Sequence, residues 1–258
     1  MPLPRLAPRT VYQLLAALIA LALLSAVLAP PIPQDPAYYR FADDTTRLGI
    51  PNFWNVATDL PFVLVGFLGL RFLYGPNESG MTEELRPIHT AFFVGSVLIG
   101  LGSGYFHWHP DGDTLLWDRL PMTVSFMAFF CIVIAETLSA NLGRRLFWPL
   151  LAAGLLSVLY WYGTETLGRG DLRPYALVQF LPMLILPVLL AFPPSGHASR
   201  GYWAVLGFYA AAKVAELLDG RLYELLWGFS GHSLKHLLAA AGAYSFLATI
   251  ERRRSAAG

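Results

Sequence analysis

Eight stretches of mostly apolar residues, each close to the length of a membrane-crossing helix, constrain this chain more than any other feature. They run over 11–30, 55–74, 88–107, 119–139, 145–162, 174–192, 202–218 and 232–250. About 20 such residues cross the hydrocarbon layer as a helix, and lipid tolerates only structures that close their own backbone hydrogen bonds. The expected class is an all-α polytopic membrane protein. Charge agrees: 14 % of the 258 residues are charged, against roughly 25 % in soluble domains. A net charge of +1 offers no basic face for nucleic acid. The single cysteine, Cys131, lies in an apolar run and reads as a small buried side chain.

Glycine and proline mark the junctions: Pro30-Pro31, Gly75-Pro76, Pro110, Gly143, Gly168 to Gly170, Pro193-Pro194 and Gly228. No repeat and no soluble domain interrupts the series. The first stretch reads as a retained anchor rather than a secretory leader with Arg5 and Arg9 as its charged start, because its apolar run is long and two prolines follow it. With both termini inside, the inner loops hold Arg86, Arg144, Arg145, Arg200 and Arg252 to Arg254. The outer loops hold Arg40, Arg47, Arg169 and Arg221, diluted by acidic residues. The expected organisation is an anchor helix and linker over 1–34, a seven-helix core over 35–250 and a basic cytoplasmic tail over 251–258.

Ionisable groups inside a membrane cost free energy, and those that persist usually mark function. Ser103 and His107 are four residues apart, and so are His232 and His236, which puts each pair on one helix face. Asp118 is expected to open the fourth helix. In the N-in topology all five residues fall at the outer end of their helices. Three imidazoles with an open fourth position form a familiar zinc arrangement. Helix–helix hydrogen bonding, or haem or copper ligation by the paired histidines, remains open on spacing alone.

The motifs Pro51-Asn52-Phe53-Trp54-Asn55, Gly102-Ser103-x-x-Phe106-His107, Asp118-x-Leu120-Pro121-Met122 and His232-x-x-x-His236 together resemble the alkaline ceramidase family. That family belongs to the CREST superfamily of membrane hydrolases, and this chain looks like a bacterial-type member. The resemblance spans roughly residues 40 to 250. It implies zinc held by His107, His232 and His236, with Ser103 and Asp118 completing the site. Animal members of the family bind calcium through an acidic N-terminal segment; here the matching stretch offers Asp43, Asp44 and Asn52, and reads equally as a solvated acidic loop. The family's first core helix commonly reads Asn-x-x-Ser-Asn, where this chain has Asn55-Val56-Ala57-Thr58-Asp59. Asp59, near the outer end of its helix, is at the depth to hydrogen-bond a ligand histidine from behind or to join a calcium site.

The expected reaction is amide hydrolysis of a lipid such as ceramide, drawn from the bilayer, at the periplasmic side of a bacterial inner membrane. Asp118 would carry the proton and Ser103 would support the developing oxyanion. A receptor-like protein with a structural metal, and a transporter with a proton path, are the competing readings. Among other polar residues, Lys213 and Glu216 are expected to pair, Lys235 to point away from His236, and Glu136 to be structural. His109, Asp111 and Asp113 read as a solvated loop, and Trp54, Trp117, Trp161 and Tyr162 as an interfacial belt.

Overall fold

The computed structural model describes residues 6–75, 83–194 and 201–257. Arg5, Pro76 and Arg200, which enter the topology reading, lie outside the described residues, as do Gly258 and the side chain of Arg254. Ten helices follow one another among the described residues: α1 (Pro8–Leu28), α2 (Phe53–Ala57), α3 (Leu60–Tyr74), α4 (Arg86–Trp108), α5 (Gly112–Thr137), α6 (Ala140–Thr166), α7 (Arg173–Ala191), α8 (Gly201–Leu217), α9 (Asp219–Leu225) and α10 (Gly231–Ala257). No strand occurs among them.

Six helical segments there are long and apolar enough to cross a membrane: α1, α2 with α3, α4, α5, α6 and α7. The expected last two spans appear as α8, of 17 residues, and α10, of 27. The first is short, and the second gives up apolar length to His232, Lys235 and His236. A membrane setting follows from α1 alone. Its apolar window has a mean hydropathy of 2.4 yet is only 11 % buried by protein. Water would not accept that surface, and lipid does.

The described chain forms two compact units. Among the described residues the first comprises 6–34, 83–92, 123–194 and 201–203. In it α7 packs against both α1 and α6. The stretch from Met127 to Ala135 is buried at every position, Cys131 among them. Arg173 fastens the end of α1, donating from Nη1 to the carbonyls of Ala26 at 3.3 Å and Ala29 at 2.6 Å. Tyr202 donates a short hydrogen bond to Glu136, giving that glutamate a structural partner. Trp161 departs from the interfacial expectation. It is fully buried, because it lies on the packed face of α6 rather than the lipid face.

The second unit comprises, among the described residues, 35–75, 93–122 and 204–257. Here α10 packs on α2, α3 and α9, with Phe62, Ile99 and Ala240 in a shared core. Phe93 and Phe246 stack with ring centroids 5.7 Å apart. The expected helix over 55–74 is broken at Thr58 and Asp59. Pro61 lacks an amide hydrogen, so the Ala57 carbonyl loses its ladder partner at the break. Asp118 also differs from expectation. It lies in the second turn of α5 rather than opening it, since Asp111 Oδ1 accepts from Thr114 N at 2.8 Å and starts the helix earlier. Asp111 is therefore a helix cap, and this hydrogen bond lowers its carboxyl below the usual range. Asp113 falls in the first turn of α5 rather than in a loop.

Candidate metal centre

Close helix approach makes room for a polar cluster in the second unit. At Gly100, an added Cβ would lie 2.8 Å from the Asp59 carbonyl. At Gly102 it would collide with the carbonyl of Trp117, next to Asp118. These two glycines let α4 run against the backbones that carry both aspartates, the small-residue packing typical of helices in lipid. Gly231 does the same for α10, against Ala215 and Asp219. Asp219 then fixes the start of α10, accepting from His232 N at 2.7 Å through Oδ1 and from Ala42 N at 3.0 Å through Oδ2.

The three histidines of the sequence reading converge. His107, His232 and His236 each offer a ligand atom, all within 4.8 Å of one another. Their ring centroids are 4.7 to 5.0 Å apart. All three are buried, and His107 is 1 % exposed. Nε2 of His107 and Nε2 of His232 lie 2.9 Å apart. Phe41 closes over the pair, its ring 5.0 Å from that of His107 and 4.8 Å from that of His232.

Asp59 and Thr58 stand behind the imidazoles. Asp59 Oδ2 lies 2.9 Å from His107 Nδ1, and Oδ1 lies 3.5 Å from His236 Nδ1. Thr58 Oγ1 is 3.0 Å from His236 Nδ1 and donates its hydrogen to the Trp54 carbonyl at 2.7 Å. The hydroxyl therefore accepts from an Nδ1–H of His236. The Asp59 carboxylate likewise accepts from an Nδ1–H of His107. With both Nδ1 atoms protonated, each Nε2 is left with a lone pair facing the cluster. His236 Nε2 is buried and makes no hydrogen bond. Nitrogen lone pairs this close repel one another unless a proton or a cation lies among them. The donor set therefore fits a divalent ion bound at about 2 Å.

Ser103 Oγ lies 3.4 Å from His107 Nδ1 and within reach of the carboxyls of Asp59 and Asp118. Asp118 is 6 % exposed and interacts electrostatically with His107 and Lys235. On one flank Tyr38 stacks on Phe106 at 6.2 Å, and the Arg119 guanidinium lies 5.4 Å from the Tyr38 ring. Burial raises the Tyr38 phenol above its usual range.

Two of the three calcium candidates make hydrogen bonds within the chain. Asp43 is fully buried. Its Oδ1 accepts from Thr45 N at 3.2 Å and Thr45 Oγ1 at 2.5 Å, and its Oδ2 accepts from Trp54 N at 3.0 Å. Asn52 donates from Nδ2 to the His107 carbonyl at 2.7 Å, on a left-handed backbone of φ 47°. Asp44 is exposed.

Several residues at the site were not assigned to it from the sequence. Thr58 is an ordinary helical threonine there. Asn55 is buried, and its Oδ1 accepts from Ser233 Oγ at 2.7 Å and Ser230 Oγ at 3.2 Å. Asp219 sits in a connection. Lys235 does not point away from the cluster, because at three residues beyond His232 it shares that residue's face. Its Nζ is 2.9 Å from His232 Nε2 and 3.0 Å from Glu216 Oε1. The expected Lys213–Glu216 pair is present at 2.7 Å. The asparagine-led pattern at 55–59 was the one available pointer to Asn55 and Thr58.

The Ceramidase family model matches residues 47–185, more than half of the 258 residues. The chain belongs to the ceramidase family. The matched span holds Asp59, Ser103, His107 and Asp118 but ends before His232 and His236, whose place beside His107 comes from the tertiary structure. The chain is also 30 % identical over 165 residues to a "Glucose/galactose transporter" of Brucella abortus biovar 1 (strain 9-941), and equally to its counterpart in Brucella abortus (strain 2308). Each alignment takes in 58 % of this chain and 37 % of the relative, so the chain spans little more than a third of those proteins.

Proposed function

We propose that this chain is a metal-dependent hydrolase that cleaves the amide bond of a ceramide-like lipid to a fatty acid and an amine. The observation carrying this reading is the convergence of His107, His232 and His236, with Asp59 and Thr58 fixing two of the rings from behind. Family membership supports the substrate class. The ligands are the three histidines and the ion is zinc. When bound, zinc supplies Lewis acidity and lowers the pKa of a water from 15.7 to about 7.

The chain's own residues then divide the work. Asp118 takes a proton from the attacking water as its oxygen adds to the amide carbon and the carbonyl electron pair moves onto oxygen. It hands that proton to the leaving nitrogen as the C–N bond breaks. Ser103 donates its hydroxyl hydrogen to the carbonyl oxygen as charge gathers there. Phe41 and the buried flanks of α3, α4 and α10 exclude bulk water and strengthen each of these interactions. The topology consistent with this reading has eight crossings, with the site opening to the outer leaflet and, in a bacterium, to the periplasm.

Likeness to transporters favours a second reading, a carrier whose buried ionisable groups form a proton path. Neither a proton path nor a carrier needs three imidazoles sharing one point. Detergent-purified protein offered a ceramide labelled in its acyl chain decides between them. Release of labelled fatty acid, abolished by a chelator and restored by added zinc, is the expected result. Intact ceramide under every metal condition overturns the hydrolase.

A further inference from the structure

The geometry points to Lys235 as a second oxyanion-stabilising catalytic residue, held in place by Glu216; this rests on the hydrolase reading above. One turn along α10 from His232, its ammonium lies 2.9 Å from His232 Nε2. That nitrogen is also the one 2.9 Å from His107 Nε2. The ammonium is therefore next to the point where the ligand atoms meet, not on a neighbouring surface. The Lys235 side chain is 18 % exposed.

Charge balance argues that Lys235 is more than the partner of a buried acid. Glu216 Oε2 already accepts from Lys213 Nζ at 2.7 Å, while Oε1 accepts from Lys235 Nζ at 3.0 Å. One carboxylate is shared by two ammonium groups, so the trio carries one net positive charge. Asp118 and Tyr38 also face Lys235 electrostatically. Asp118 is the carboxylate already assigned the proton, so its negative charge is lost when it protonates during the reaction. At that moment Glu216 alone balances the positive charges of Lys213 and Lys235, and negative charge appears on the substrate oxygen.

A cation fixed beside a metal position is repelled while the substrate amide is neutral. It becomes favourable once the carbonyl electron pair has moved onto oxygen. That is differential stabilisation of the transition state, and Glu216 supplies the rigidity that makes it effective. The Lys235 ammonium donates a hydrogen bond to that oxygen. It keeps its proton throughout and releases the oxygen when the pair returns to re-form the carbonyl of the fatty acid.

The test compares wild type with Lys235→Met and Lys235→Arg, using purified protein with measured metal content. Removing one oxyanion donor of this kind costs about 10²–10³ in kcat. The expected result for Lys235→Met is a kcat loss of about a hundredfold, a KM within a few-fold of wild type and full metal content. Lys235→Arg recovers part of the loss. Independently of turnover, an anionic tetrahedral phosphonate mimic of the lipid amide binds wild type more tightly than Lys235→Met in calorimetry, while an uncharged ether analogue that cannot be cleaved binds both alike. If wild type cleaves ceramide and Lys235→Met keeps its kcat, or if the variant loses metal in proportion to activity, this role for Lys235 is overturned while the hydrolase stands. A wild type that cleaves nothing overturns both.

Discussion

Two buried polar clusters in this protein use the same kinds of side chain to opposite ends. Around Asp171, in the first unit, every strong donor and acceptor meets a partner. Asp171 Oδ1 accepts from Arg173 N at 3.1 Å and Nε at 2.8 Å. Its Oδ2 accepts from Arg173 Nη2 at 2.8 Å and Tyr160 Oη at 3.1 Å. The remaining guanidinium nitrogen is spent on the carbonyls of α1. Around Asp59, in the second unit, the hydrogen bonds stop one atom short. They consume the Nδ1 side of His107 and His236 and leave Nε2 atoms facing one another, that of His236 without a partner. A closed network fastens helices. One that leaves lone pairs converging is built to receive something.

That contrast can be broken most severely at a ligand. His232→Ala is expected to abolish both bound zinc and amide hydrolysis, measured by metal analysis and fatty-acid release. Full zinc content in the purified variant would remove this histidine from the ligand set. Next in size, Asp118→Asn keeps zinc and loses turnover by at least about a hundredfold. Undiminished kcat there ends its role as proton carrier. Asp59→Asn weakens metal affinity by about 10–100-fold, the usual cost of losing the partner behind a ligand imidazole. A competition titration with a chromophoric chelator reads this directly, and an unchanged affinity would make Asp59 merely a packing residue.

The closed cluster should respond the other way. Arg173→Ala leaves the Asp171 carboxylate without its guanidinium and frees the end of α1, lowering Tm by roughly 5–10 °C with metal content intact. Loss of zinc in that variant would contradict the division of labour between the clusters. The smallest effect is in pH. Hydrogen bonds from Arg173 hold the Asp171 carboxyl down at about 2, from an ordinary 3.8. The folded value is depressed, so its contribution to stability is complete above about pH 4 and drains away as pH falls towards 2. The gap in Tm between wild type and Asp171→Asn should narrow across that window. A gap that stays constant would show that the carboxylate charge is not what stabilises.

Composition and apolar run length alone determined that this chain is helical and belongs in lipid, because a backbone there must satisfy itself within each helix. Spacing along α4 and α10 determined which faces Ser103, His107, His232 and His236 share. Folding decided the rest. The break at Thr58 and Asp59, the early start of α5 and the burial of Trp161 depend on a proline, a cap and a packed face whose effects periodicity does not register. Thr58 and Asn55 became site residues only when α2 and α10 met, whereas Lys235 reaches His232 within α10 itself. A sequence fixes which groups lie on one helix face. It cannot tell which faces of distant helices will touch, and a shared ligand point exists only where they do.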